Sequence, residues 1–154
     1  MPLLTIRGET VNRLLATLPK KEYERLLPGL KRIPLNFGEV LYEPGDTIKH
    51  VYFPNDSIVS LLSAMPERST LEVGMVGNEG FAGLPIFMGV NVSQTRALVQ
   101  GAGSAMRMTS AAVRHEANHL GAVTAWTKVF TSRLTLLSQP SLCRKGLLKL
   151  PGVA

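Results

Sequence analysis

The stretch from Lys31 to Met108 is a run of short apolar segments cut by glycine, proline, asparagine and aspartate, and this punctuation limits the fold more than any other feature. Ile33 and Leu35 lead into Phe37-Gly38-Glu39, Val40-Leu41-Tyr42 into Glu43-Pro44-Gly45-Asp46, and His50-Val51-Tyr52-Phe53 into Pro54-Asn55-Asp56. Ile58 to Leu62 and Leu71 to Val76 follow, with Met65-Pro66-Glu67-Arg68 as the turn between them. Turns at intervals of about 8–12 residues suit antiparallel strands that close on themselves or form a sandwich. The expected fold class is mainly β with flanking helices, an antiparallel jelly roll of roughly seven or eight strands.

The ends of the chain carry a helical period instead. Thr10 is a suitable N-cap, and Val11, Leu14, Leu15 and Leu18 share one helical face before Pro19. A second short helix is expected from Lys20 to about Leu27, ended by Pro28-Gly29. Thr109 or Ser110 caps a segment that runs to His119. Leu120, Val123, Thr127, Phe130, Leu134 and Leu137 then recur at alternating spacings of three and four. Such a seam meets a partner helix, and residues 120–139 would make a rod of roughly 30 Å. A helix packed on its own barrel produces the same stripe. Pro140 ends the seam, and Ser141 to Ala154 reads as a mobile basic tail without a helix-turn-helix pattern.

Within the β region, Glu72 to Ala97 compresses strand, turn, short helix, loop and strand into 26 residues, which is where a ligand pocket is expected. Gly77-Asn78-Glu79-Gly80 supplies glycines that permit a positive φ in a tight turn. Pro85 has no N–H to donate and fits near the start of a helical turn. Arg96 lies at the rim of this arrangement, where a guanidinium beside free backbone N–H groups holds a phosphate. A solvated charge at a strand end satisfies the same pattern.

Length and composition set the outer limits. A chain of 154 residues with 45% hydrophobic content makes one domain with a proper core. No run of 18 apolar residues is present, and the N-terminal segment lacks a signal-peptide layout, so no membrane association is expected. Cys143 stands alone, which fits a reducing cytoplasm. The net charge of +6 is uneven. Residues 1–96 hold ten Lys/Arg and ten Asp/Glu, whereas residues 97–154 hold seven Lys/Arg and only Glu116 as an acid. That excess suits nucleic acid or an acidic partner, and equally a solvated helix face.

One motif points to a different chemistry. His115-Glu116-Ala117-Asn118-His119 matches H-E-x-x-H, in which two histidines one turn apart bind zinc and the glutamate activates water. A third ligand is needed, and downstream of His119 the chain has no His, Asp or Glu. His115 and His119 are thus weak metal candidates, a zinc hydrolase is a distant alternative, and the expected assignment is no metal and no enzyme. Neither a G-x-S-x-G elbow nor a Walker loop is present.

Taken in order, the two N-terminal helices, VLYEPGDTIKHVYFP, IVSLL, LEVGMVGNEGFAGLPIFMG, TRALVQ and the seam helix resemble the sensory half of a Crp/Fnr-type transcription regulator. The resemblance covers about residues 11–139, and Tyr42 to Asp46 and Val76 to Gly80 carry most of it. It implies a cyclic-nucleotide-binding-like jelly roll, homodimerisation through the long helix, and a helix-turn-helix domain that reads DNA. In cyclic-nucleotide-binding members a Gly-Glu pair takes the ribose hydroxyl and an Arg-Ser/Thr-Ala run takes the phosphate. Here these positions fall on Gly83-Leu84 and Thr95-Arg96-Ala97, which are the candidate ligand-binding residues. Leucine accepts no hydrogen bond, and anchoring on Ala97 puts threonine in the arginine's place. One residue of register decides whether Arg96 turns inward.

The implied organisation is packing helices over 1–30, the effector domain over 31–108, a short helix and dimerisation helix over 109–139, and the tail over 140–154. The DNA-binding domain is expected to be absent from this chain. The implied function is effector sensing and dimerisation, with a small anionic effector in place of a tightly held cyclic nucleotide. The alternative is a jelly-roll interaction module that has no effector.

Overall fold

The computed structural model describes residues 11–67 and 69–117. The seam Leu120, Val123, Thr127, Phe130, Leu134 and Leu137, together with His119 and the tail, lies outside the described residues. Among the described residues seven strands are present: β1 (Lys31–Leu35), β2 (Val40–Tyr42), β3 (His50–Pro54), β4 (Ile58–Ala64), β5 (Thr70–Val76), β6 (Arg96–Gly101) and β7 (Gly103–Thr109). All pairings are antiparallel, and they build a three-stranded sheet β1-β7-β3 and a four-stranded sheet β2-β6-β4-β5. Isolated bridges Thr47–Val92 and Tyr52–Ala82 tie the turn regions to these sheets. The expected antiparallel, mainly β architecture with a few helices is what the chain adopts.

Helices α1 (Arg13–Ala16), α2 (Lys20–Leu26), α3 (Leu84–Phe87) and α4 (Ser110–Ala117) flank the sheets. The first differs from expectation, because Asn12 and not Thr10 caps it. The Asn12 side-chain oxygen accepts the N–H groups of Leu14 and Leu15 at 3.0 and 3.2 Å. Its amide nitrogen donates to the carbonyls of Pro54 and Gly80, both at 2.8 Å. One buried side chain thus satisfies helix-end donors and two loop acceptors, removing four unmet polar groups. At the other end Thr109 Oγ1 accepts the Ala112 N–H, capping α4.

The turn glycines also differ. The positive φ angles fall at Gly38, Gly45, Gly83 and Gly89, not at Gly77 or Gly80. The Gly77–Gly80 turn is closed by the Gly80 N–H on the Gly77 carbonyl at 3.3 Å, and the Glu79 carboxylate accepts the Gly77 N–H at 3.1 Å.

The register of β3 against β7 divides its side chains. Val51 and Phe53 pair with Met108 and Met106 on the face turned to the helices, where Met108 Cε approaches Gly29 and Val51 approaches Gly83. Phe53 meets Phe81 at 5.7 Å between ring centroids, and Phe81 meets Phe87 at 4.7 Å. His50 and Tyr52 share the opposite face with Thr109 and Arg107. No helix among the described residues is long and apolar enough to cross a membrane.

Candidate functional site

Tyr42 of the four-stranded sheet and Tyr52 of the three-stranded sheet approach each other, and a cavity of about 450 Å³ opens beside them. Leu41 and Tyr42 of β2, Asp46, Thr47 and Lys49 of the β2–β3 turn, and His50 and Tyr52 of β3 line it. Gly45, at φ 89°, permits the tight turn that brings Asp46 and Thr47 to the rim. Asp46 Oδ2 accepts the Glu43 N–H at 3.0 Å, which fixes the turn from within.

The electrostatics of the lining follow from burial and from two cations. Burial lowers the His50 pKa, and the charges of Arg107 and Lys49 lower it further, so the imidazole stays neutral with one donor and one acceptor. Burial raises the Tyr52 pKa against the pull of Arg107, whose guanidinium also hydrogen-bonds to the phenol. Tyr42 is 6% exposed and its pKa is pushed up, first by burial and then by Tyr52. Both phenols therefore remain protonated. Such a set of neutral rings, hydroxyls and an ammonium suits reversible recognition of a small polar molecule.

None of the five residues expected to bind ligand is among those that line this cavity. Gly83 opens α3 at φ 117°, and a Cβ there would stand 3.0 Å from Val51 Cγ2. Leu84 is partly buried and packs on the core. Ala97 is fully buried and lies opposite Tyr42 and Leu61. Thr95 is held by Ser93, whose hydroxyl donates to the Thr95 carbonyl at 2.7 Å and accepts its N–H at 3.1 Å. Arg96 pairs in register with Leu62, its side chain 44% exposed and its Nε 2.8 Å from Glu43 Oε2. The structure thus joins Gly83, Ala97 and Tyr42 at one place, with Arg96 on the other face of β6.

His50, Tyr52, Lys49 and Tyr42 were not among the expected site residues. Alternation along His50-Val51-Tyr52-Phe53 carries the signal for the β3 pair, since side chains of one parity share a face.

Of the H-E-x-x-H motif, Glu116 is engaged elsewhere and His119 lies outside the described residues. Glu116 Oε2 lies 2.7 Å from Arg25 Nε, an ion pair joining α4 to α2. Among the described residues no group of three His, Cys, Asp or Glu is gathered to hold a metal.

No family model and no curated protein matches the sequence. Solved structures do match. The catabolite activator protein of Thermus thermophilus superposes with a TM-score of 0.69 at 13% identity, over 86% of this chain and 62% of that one. The fold is that of a cyclic-nucleotide-binding domain. The N-terminal domain of a transcriptional regulator from Streptomyces coelicolor matches with a TM-score of 0.62 at 16% identity, over 93% of this chain and 96% of that one. A mutant regulatory subunit of a cAMP-independent protein kinase A from Trypanosoma brucei, bound to cAMP, matches with a TM-score of 0.67 at 14% identity. That match covers 84% of this chain but only 44% of the subunit. These neighbours are regulatory domains, and this chain shares with them the cyclic-nucleotide-binding fold.

Proposed function

We propose that the chain is the effector-sensing and dimerisation part of a Crp/Fnr-type transcription regulator, with DNA recognition left to a helix-turn-helix domain. The observation that carries this reading is the 450 Å³ chamber between β2 and β3, whose lining residue Tyr42 pairs with Ala97, in a fold shared with Crp-type regulators. In this reading the effector enters at Asp46, Thr47 and Lys49 and rests against His50 and Tyr52. Gly83, Thr95 and Ala97 border its inner end, Leu84 replaces a polar contact with an apolar one, and Arg96 braces the β2–β3 turn through Glu43. Residues 120–137 form the homodimer seam. The effector is a small molecule other than a cyclic nucleotide gripped by an arginine.

A second reading, an interaction module without effector, has one observation in its favour: none of Gly83, Leu84, Thr95, Arg96 and Ala97 is among the residues that line the chamber. A thermal-shift screen of small metabolites on the wild type and on Thr47→Trp, which fills the chamber mouth, separates the two. We expect at least one compound to raise the melting temperature of the wild type and not of the variant. A library that moves both alike, or neither, leaves the interaction module as the better account.

A further inference from the structure

The four-stranded sheet turns one face to the core, and its other face carries a strip of apolar side chains. Val40, Leu98, Ser60 and Met75 stand in one row across the four strands, since Leu98 pairs with both Val40 and Ser60, and Ser60 with Met75. Val40 and Met75 mark the two margins at 41% and 56% exposed. The next row is Arg96, Leu62 and Glu72, with Leu62 of β4 paired on both sides. These rows face outward. The intervening Ala97, Val99, Val59 and Val76 are buried, and the Glu72 carboxylate reaches along the outer face to accept the Ser60 hydroxyl at 2.6 Å. Leu62 and Leu98 are half-buried, yet among the described residues they lie outside the core and outside the side chains packed on it. Contiguous apolar side chains on an open sheet face mark a contact surface.

The charges on this face decide which occupant fits. Arg96 and Glu72 are opposite in sign and lie one strand, about 4.8 Å, to either side of Leu62. A second copy can be laid face to face about a two-fold axis that runs along β4. Leu62 then meets Leu62, Ser60 meets Ser60, Leu98 meets Met75, and each Arg96 meets the other copy's Glu72. A two-fold axis across the strands would instead set Arg96 on Arg96 and Glu72 on Glu72, so the charge pattern selects the first arrangement. Both groups keep capacity for the contact. Arg96 uses Nε on Glu43 and Glu72 uses Oε2 on Ser60, which leaves two guanidinium nitrogens and Oε1. We propose that the outer face of the sheet β2-β6-β4-β5 is a self-association surface for a second copy of this chain, separate from the helical seam. Strand and residue spacings give a face of about 14 by 24 Å, the scale of a weak, reversible contact.

Sedimentation equilibrium of the full chain tests the assignment. The wild type is expected to gain mean mass between about 10 µM and 1 mM as copies meet through this face. Arg96→Glu turns both cross pairs into carboxylate pairs, and Glu72→Arg turns them into guanidinium pairs. Each variant alone should therefore associate at least about tenfold more weakly. An equimolar mixture of the two restores unlike charges at both contacts, and should regain association to within about threefold of the wild type. Met75→Lys, which leaves Arg96 and Glu72 in place, is expected to weaken association by a similar factor and guards against a fold disturbed by the charge reversals. Pairing through the seam is indifferent to these three positions, so differences between the samples report on the sheet face alone. A mixture no heavier than its parts, or variants that associate as the wild type does, would overturn the proposal. So would a wild type of constant mass, which would mean that another segment or a different partner covers the face.

Discussion

The two ends of β3 lie four residues apart and are built on opposite plans. At Pro54 the chain is sealed: Asn12 binds the Pro54 and Gly80 carbonyls, Asn55 accepts the Asn12 N–H at 3.1 Å, and Asp56 accepts the Ser104 N–H at 2.6 Å. Ser57 adds a bond to the Ser104 carbonyl at 2.9 Å. At His50 the same strand opens on a chamber lined by an imidazole, two phenols, an ammonium and a carboxylate. Matched polar groups fix one end of the barrel, and polar groups facing a cavity leave the other able to receive a ligand. On the proposed reading, stability and recognition belong to different ends of one strand.

The largest effect is expected at the sealed end. Asn12→Ala removes a helix cap and leaves two buried carbonyls without their donor, at a cost of about 3 kcal/mol in urea unfolding. A loss below about 1 kcal/mol would show that the sealed end does not hold the fold. The open end should instead show itself in pH dependence. His50 has a folded pKa below its ordinary 6.5, so as pH falls the unfolded chain takes the proton first. Stability therefore declines on acidification through the window below about 6.5, and His50→Gln should flatten that slope between about pH 7 and pH 5. An unchanged slope would mean that the chamber does not desolvate the imidazole. The smallest effect belongs to Arg96→Ala. Its ion pair with Glu43 is over 40% exposed on both sides, so less than about 0.5 kcal/mol should be lost in the same unfolding experiment.

The strands that frame both ends were legible in the sequence, whereas the residues that line the open end were not. The strands followed from glycine and proline punctuation, because turn chemistry is local. The cap did not. Thr10 and Asn12 are both good capping residues, and the choice fell to Asn12 through its amide bonds to Pro54 and Gly80, 42 and 68 residues away. Glycine conformations were legible in part, since Gly83 and Gly77 look alike locally and only Gly83 is pressed against Val51. Tyr42 escaped notice because the β2–β6 register shifts between Val40 and Tyr42, which breaks the alternation that would have marked it as inward. The direction of Arg96 was left open by the sequence, since one residue of register decides it; in the structure Ala97 and Val99 are fully buried, so the parity of Arg96 faces away.

The most direct test of the chamber account is a calorimetric titration of the purified chain with cAMP, run beside Arg96→Ala. With Leu84 offering no polar contact and Arg96 turned to Glu43, neither protein should give saturable heat at millimolar ligand. Saturable binding by the wild type that Arg96→Ala abolishes would place the guanidinium on the phosphate and contradict the account.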